Sequence, residues 1–159
     1  MTLVLVCCLI LLLTTTAIHY EVLRLLSFGL VAMRIPARVK LNVVIVAAFA
    51  SHSLQMLLYG VAYYGAIHVL DLGNLIGGAG ASWSNCLYFS AETFTSLGLG
   101  DLVPSGPVRL IAGAETLNGL LLIGWSASFA YLALFPKISV QLPFHLINMS
   151  YSRHYRISS

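Results

Sequence analysis

Charge is what this sequence has least of: only 8% of its 159 residues are charged, and 59% are hydrophobic. In soluble domains about a quarter of the residues are charged. A chain with so few cannot cover a water-facing surface with polar side chains, so the composition predicts a protein of the lipid bilayer. The net charge of +3 is small, and no basic run alternates with aromatic residues, so no nucleic-acid partner is implied.

Reactive side chains are scarce as well. The three cysteines, Cys7, Cys8 and Cys86, lack the spacing of a zinc site or a redox pair, so we interpret them as packing residues. No cluster of histidine, cysteine and acidic residues indicates a metal enzyme, and no Ser–His–Asp arrangement indicates a hydrolase. The sequence therefore predicts neither an enzyme nor a cofactor. It also lacks an arginine-rich helix of the voltage-sensing kind.

Three long apolar segments are present, at residues 3–30, 41–70 and 107–135. Each exceeds the roughly 20 residues that a membrane-spanning helix needs, and a helix satisfies its backbone hydrogen bonds internally. The first segment has no basic residue before Arg24 and no small-x-small cleavage site, so we expect a retained helix and not a signal peptide. The predicted fold class is an all-α membrane protein with three transmembrane helices.

Basic residues indicate the orientation of the chain. Three lie between the first two segments and three follow the last: Arg34, Arg38, Lys40, Lys137, Arg153 and Arg156. Only Arg109 lies near the link between the second and third segments. Because cytoplasmic loops are enriched in lysine and arginine, we expect the first link and the short tail 137–159 in the cytoplasm. The N-terminus is then expected outside.

The link between the second and third segments, residues 71–106, is the most informative part of the chain. After a glycine-rich stretch, Ser84 is expected to cap a short helix over residues 84–95. A helix of this length is too short to span the bilayer and is typical of a re-entrant segment. It leads directly into residues 96–101 (SLGLGD), and Pro107 suits the first turn of the last helix.

The SLGLGD stretch suits a loop that binds a dehydrated cation through backbone oxygens. Successive carbonyls point inward only if some residues adopt a positive φ, which Gly98 and Gly100 do without steric cost. Irregular backbone at membrane depth occurs only where it lines a pore or is buried in protein. The C-terminal end of the short helix is partly negative and favours a cation nearby. A tight turn is the alternative reading of Gly-x-Gly alone, and the flanking helices favour the cation site.

Residues 88–95 (YFSAETFT) contain an aromatic pair and then Ser-x-Glu-Thr, directly before the glycine loop. In this they resemble the pore helix of the small bacterial two-helix potassium channels. The resemblance covers residues 41–135 and leaves the first helix outside it. It implies a homotetramer in the plasma or inner membrane that conducts potassium passively through a ring of backbone carbonyls.

The resemblance also assigns the parts of each subunit. An extra N-terminal helix (1–35) precedes a pore domain (36–136), which is built of outer helix 41–70, pore helix 84–95, filter 96–101 and inner helix 107–135. The implied filter residues are Thr95, Ser96, Leu97, Gly98, Leu99 and Gly100. Potassium ions are expected at the carbonyls of Ser96, Leu97, Gly98 and Leu99.

The filter departs from the family pattern at two positions. Leu99 stands where the family usually has tyrosine, and Ser96 where it usually has threonine. The tyrosine hydroxyl of the family bonds an aromatic residue of the pore helix, a position that Phe89 occupies here. We therefore expect Leu99 to pack on Phe89, which leaves no polar group unpaired.

Two alternative functions follow from these departures. Without the hydroxyl bond the filter is held less firmly, so a weakly selective sodium and potassium channel is one alternative. From another class, a non-conducting membrane scaffold or accessory subunit is a second.

Two carboxyl groups accompany the filter. Glu92 and Asp101 have the spacing of a carboxyl pair behind the filter of the bacterial relatives. We expect them to share a proton and to brace the filter, with Tyr88 donating to Asp101. Solvated carboxylates are the alternative.

Other polar and small residues lie on the long helices. The resemblance places a gating hinge at Gly119, with close helix packing as an equal alternative. His52 is either a pH sensor or, as we favour, a polar contact to a neighbouring helix. His19, Glu21 and Arg24 are expected at the membrane interface. Four residues share one face and either line a cavity below the filter or contact the pore helix: Glu115, Asn118, Leu122 and Ser126.

Overall fold

The computed structural model describes residues 1–32, 35–78 and 80–134. Along the chain the elements are α1 (Thr2–Ala32), α2 (Ala37–His68), β1 (Asn74–Ile76), α3 (Trp83–Phe94), β2 (Val103–Ser105) and α4 (Val108–Leu134). The predicted cytoplasmic tail 137–159 lies outside the described residues, as does Arg34 in the first link.

Three of these helices are long and apolar enough to cross a membrane, namely Thr2–Leu30, Ala37–His68 and Val108–Ala133. Their outward surfaces carry large apolar side chains, among them Phe28 and Phe49, which suits contact with lipid. The prediction of an all-helical membrane protein with three spanning segments is confirmed. α2 begins at Ala37, before the predicted start at residue 41, so the first link is short.

α1 packs against both α2 and α4 and is an integral part of the helical bundle. Near its N-terminus, Val4 joins a buried cluster with Tyr59 and Tyr63 of α2, Phe89 of α3 and Ile111 of α4. The segment outside the family resemblance therefore contributes to the same core as the segments inside it.

A short antiparallel strand pair, which the all-α prediction did not include, joins the beginning and the end of the link between α2 and α4. β1 pairs with β2 in the register Asn74↔Ser105, Leu75↔Pro104 and Ile76↔Val103. Gly77, with φ 114°, allows the two backbones to approach, because a Cβ there would lie 2.1 Å from the carbonyl oxygen of Asp101. The pair joins the residues before α3 to the residues after the filter loop.

α3 begins one residue earlier than predicted, and Ser82 is its N-cap. The Ser82 backbone is extended, and its hydroxyl accepts a hydrogen bond from the Asn85 N–H at 3.3 Å. The prediction that Ser84 caps this helix is wrong, because Ser84 already lies inside the first turn. An N-cap residue must stand just before the first helical residue, which is Trp83.

Candidate functional site

The loop at residues 95–101 follows directly from the C-terminal end of α3. The chain leaves the helix through two backbone hydrogen bonds, from Ser96 N–H to the Thr93 carbonyl (3.0 Å) and from Leu97 N–H to the Glu92 carbonyl (2.8 Å). These bonds satisfy carbonyls that the end of a helix otherwise leaves unpaired. The loop therefore starts from a defined helix terminus.

Every second residue of the loop has a left-handed backbone. The φ angles are 59° at Ser96, 56° at Gly98 and 80° at Gly100, whereas φ is negative at Leu97 and Leu99. Sequence reasoning found the two glycines and missed Ser96, because serine rarely adopts this conformation. Alternation of this kind turns successive carbonyls toward one side of the chain, which a pleated strand does not do. These carbonyls could hold a cation without any side-chain ligand.

One side-chain bond ties the loop back to α3. The Leu99 N–H donates to the Glu92 carboxylate at 3.3 Å. Glu92 is only 4% exposed, so the solvated alternative is wrong for this side chain. Burial raises the pKa of the Glu92 carboxyl and the negative charge of Asp101 raises it further, while the Leu99 hydrogen bond acts in the opposite direction.

Tyr88 completes a cluster with the two carboxyl groups. Desolvation raises the pKa of the Tyr88 hydroxyl, and the nearby Asp101 carboxylate raises it further. The structure thus brings Tyr88, Glu92 and Asp101 together beside the loop. That they brace the filter during conduction remains a prediction.

Phe89 and Leu99, by contrast, differ strongly in exposure. Phe89 is 3% exposed and lies edge-on against Tyr63 of α2, with ring centroids 5.1 Å apart. The Leu99 side chain is 61% exposed. Phe89 is thus covered within its own chain, whereas most of the Leu99 side chain is left uncovered. That Leu99 packs on Phe89 stays a prediction.

The polar face of α4 points into the bundle. The Glu115 carboxylate accepts hydrogen bonds from the Ser90 hydroxyl of α3 and the Tyr63 hydroxyl of α2, both at 2.5 Å. The Asn118 amide donates to Thr15 of α1 at 2.7 Å. All four residues of this face are buried: Glu115, Asn118, Leu122 and Ser126. Of the two alternatives, contact with the short helix α3 describes Glu115, whereas Asn118 and Ser126 contact α1 and α2.

Gly119 is a packing position against the end of α3. A Cβ at this residue would lie 2.1 Å from the carbonyl oxygen of Phe94 and 2.9 Å from its carbonyl carbon. Gly113 and Gly124, on the same helix, have no atom within 4 Å of such a Cβ. The contact favours the packing alternative for Gly119, and a hinge role stays a prediction.

His19 is not interfacial as predicted, because its side chain is fully buried among the helices. It lies near Ser51 of α2 (3.3 Å) and Ser126 of α4 (3.2 Å). The prediction failed because an apolar helix in a membrane does not reveal from its sequence which face meets protein. Glu21 and Arg24 do lie on the exposed side of α1, where they form an ion pair at 2.9 Å.

Comparison with known proteins locates this site within a shared segment. Residues 43–134, more than half of the chain, match a protein family described as "Ion channel". A stretch of 50 residues, 31% of this chain, is 44% identical to an uncharacterized membrane protein, YdjJ, of Bacillus subtilis (strain 168). That stretch amounts to 15% of the length of YdjJ. The family match includes α3, the loop, all of α4 and most of α2, and it leaves out α1.

Proposed function

Since the chain belongs to the family of two-helix, potassium-channel-like ion channels, we propose that it is the subunit of a passive potassium channel whose filter is residues 96–101. The observation that carries this proposal is the alternating backbone at Ser96, Gly98 and Gly100. It supports a column of carbonyl oxygens that replace the hydration shell of the ion. The negative end of α3 lies next to this column and favours a cation.

The proposed assembly is a homotetramer with the four loops around a central axis. One loop offers oxygens from one side, so a closed ring needs further copies. Two observations support association through the loop and the exposed side of α4. Leu97 of the loop is 63% exposed. On α4, the large side chains of Leu117, Leu120 and Leu121 are exposed as well. In this arrangement α3 is the re-entrant pore helix, α2 the outer helix and α4 the inner helix.

The proposed location is a cell membrane, with the N-terminus and the 71–106 link outside. Arg38 and Lys40, at the start of α2, lie at the proposed cytoplasmic side. The Lys40 ammonium donates to the carbonyl of Leu30 at 2.7 Å, which places a positive charge at the C-terminal end of α1.

A weakly selective cation channel is the second candidate. The observation that favours it is the exposed side chain of Leu99, which has no hydroxyl group with which to form a supporting hydrogen bond. A filter without such a side-chain support deforms more easily around a smaller ion.

Ion flux into liposomes tests the proposal. Purified protein is reconstituted, and uptake of potassium and of sodium is measured separately. We expect potassium uptake to exceed sodium uptake. Equal uptake would favour the weakly selective channel, and no uptake of either ion would favour a scaffold or accessory subunit.

A glycine pair provides the matched variants. Gly98→Ala forces a side chain onto a residue with φ 56°, where no neighbouring atom lies within 4 Å, so only the backbone conformation is penalised. The cost is about 1–2 kcal/mol per residue in each chain. We expect this variant to lose conduction. Gly65→Ala adds the same methyl group in open space on α2 and should conduct as the unmodified protein does.

A further inference from the structure

Four polar side chains from three helices form a closed cycle of hydrogen bonds inside the bundle. We call it the polar cycle; its members are His19 of α1, His52 and Gln55 of α2, and Ser126 of α4. Ser126 Oγ lies 3.2 Å from His19 Nε2 and 3.1 Å from His52 Nε2. Gln55 lies 3.0 Å from His52 Nδ1 through its Oε1 and 3.3 Å from His19 Nδ1 through its Nε2. The two imidazoles stack with centroids 5.1 Å apart.

The direction of each hydrogen bond follows from the surroundings of Gln55. Its Nε2 faces the Thr15 carbonyl (3.5 Å) and the Ser51 hydroxyl (3.2 Å), so the amide nitrogen is on that side and Oε1 faces His52. His52 Nδ1 must then donate to Oε1, which makes the other nitrogen of a neutral His52 an acceptor.

The remaining bonds complete the cycle in one direction. The Ser126 hydroxyl donates to His52 Nε2 and accepts from His19 Nε2–H. His19 Nδ1 is then an acceptor, and it receives the Gln55 amide. Each member donates once and accepts once, and this holds only while both histidines are neutral. A proton added to either imidazole turns an acceptor into a donor and breaks the pattern.

The described residues around the polar cycle offer no anionic partner for such a proton. α1 contributes Thr15, α3 contributes the ring of Phe94, and α4 contributes Trp125. The titratable groups closest to it belong to other pairs. The Tyr59 hydroxyl accepts from Asn118, Glu115 is bonded to Tyr63 and Ser90, and Glu21 pairs with Arg24 on the exposed side of α1. The Tyr20 ring packs on Trp125. A charge in this position is costly unless the cycle opens to water.

The polar cycle is also connected to the proposed filter. The His52 imidazole lies 5.6 Å from the ring of Phe94, centroid to centroid. Phe94 is the last residue of α3 and directly precedes Thr95, and its carbonyl group packs against Gly119. A rearrangement at His52 therefore reaches the residue from which the loop starts.

We propose that the polar cycle is a proton-sensitive clamp that holds α1 on α2 and α4 and positions Phe94 beneath the filter. With both histidines neutral the clamp is closed. Uptake of a proton from the solvent at His19 or His52 opens it, releases Phe94 and reduces conduction. The effect on conduction rests on the proposed function above, whereas the opening of the clamp does not.

Tryptophan fluorescence tests the clamp without any need for conduction. The Trp125 indole lies 5.5 Å from the His19 ring, and a positive charge this close to an indole changes its emission. In a Trp83→Phe background, Trp125 is the only tryptophan of the chain. We expect its emission to change on acidification from about pH 7.5 to about pH 4, a range that extends well below the ordinary histidine pKa of about 6.5. In the same background, His19→Gln should reduce the change, His19→Gln combined with His52→Gln should abolish it, and His68→Gln should retain it.

His68 is a suitable control because it is exposed and stacks on Tyr64 at the far end of α2. An unchanged emission in the protein with all its histidines, or a full response in the variant that carries both His19→Gln and His52→Gln, would overturn the proposal. A His19→Gln protein with altered emission already at neutral pH would indicate misfolding. In that case the emission of Trp125 on acidification is measured in His52→Gln, which removes the other histidine of the polar cycle and should reduce the change.

Potassium flux then tests the link to the filter. Acidification should reduce flux, by at most about tenfold per pH unit if one proton opens the clamp, and His52→Gln should flatten this dependence. A pH response of Trp125 with no flux at any pH would contradict the channel proposal and leave the clamp supported. Flux that is independent of pH, together with a normal Trp125 response, would refute the link between the clamp and the filter.

Discussion

Gly119→Ala is expected to be the most damaging addition of a single methyl group to α4. The new Cβ would lie 2.1 Å from the Phe94 carbonyl oxygen, 2.9 Å from the carbonyl carbon and 3.1 Å from Cα. All three atoms belong to the backbone, so no rotation of a side chain relieves the contact. Relief requires α4 and the end of α3 to separate by more than about 1 Å, since contacts of a carbon atom are optimal at roughly 3.5 Å.

Overpacked cores in other proteins lose about 1–3 kcal/mol of folding free energy, and we expect a loss of this size for each chain. In a chain of this size, 1 kcal/mol corresponds to about 2–4 °C in the midpoint of thermal unfolding. The functional effect should be larger than the loss of stability. The displaced residue is the last of α3, and the loop that follows is held by bonds to the Glu92 and Thr93 carbonyls of the same helical turn.

Two measurements on two variants check this reasoning. Thermal unfolding in detergent and potassium flux in liposomes are compared for Gly119→Ala and for Gly113→Ala, whose Cβ meets no atom within 4 Å in the same helix. We expect a lower midpoint and a loss of flux for Gly119→Ala alone. Normal stability and normal flux in Gly119→Ala would refute the packing argument. A normal midpoint with altered open time would instead support the hinge.

Three further predictions concern the short helix and its neighbours. Glu115→Ala removes the acceptor of two buried hydroxyl groups, so it should lower the free energy of unfolding by about 2–4 kcal/mol, and Glu115→Gln, which keeps one acceptor, should cost less. Ser82→Ala should cost about 1 kcal/mol through loss of the α3 N-cap, while Ser84→Ala should cost little. Glu92 should make stability decrease as the pH rises through its raised pKa, because the folded state holds the proton more tightly than the unfolded chain. Glu92→Gln should remove this dependence.

All three are measured by unfolding in detergent. For Glu92, the midpoint is followed from about pH 4 to about pH 7, and the difference between the unmodified protein and Glu92→Gln isolates this carboxyl group from the other titratable groups. Equal losses in the two Glu115 variants, equal losses at Ser82 and Ser84, or parallel pH curves would contradict the respective assignments.

The spanning helices and the loop were accessible to sequence reasoning because length, hydropathy and glycine placement act locally. The short helix could be placed for the same reason, to within one residue at its start. The rotation of each helix could not be predicted, because lipid and protein interior are equally apolar and neither marks a face. This is why His19 was expected at the interface and why the partners of Glu115 could not be chosen in advance.

Two further features depend on contacts between distant parts of the chain. The strands β1 and β2 have three residues each, which is too short for a period-2 pattern to be recognised. Their pairing depends on Gly77 approaching the backbone of Asp101. Likewise, Ser96 has a backbone conformation that its residue type disfavours, and the surrounding hydrogen bonds to α3 enforce it.

The β1–β2 pair restrains the bundle at the end where α2 and α4 meet the link. It clamps Asn74 to Ser105, and beside it the Val108 N–H donates to the Leu72 carbonyl at 3.1 Å, so α2 and α4 are fastened together where they meet the link. The opposite ends of the two helices can therefore move apart while the strand pair keeps the distance between α2 and α4 at the link. A movement that opens the far end of α4 therefore does not reach the loop through the paired strands; it reaches the loop through Phe94, whose carbonyl packs against Gly119.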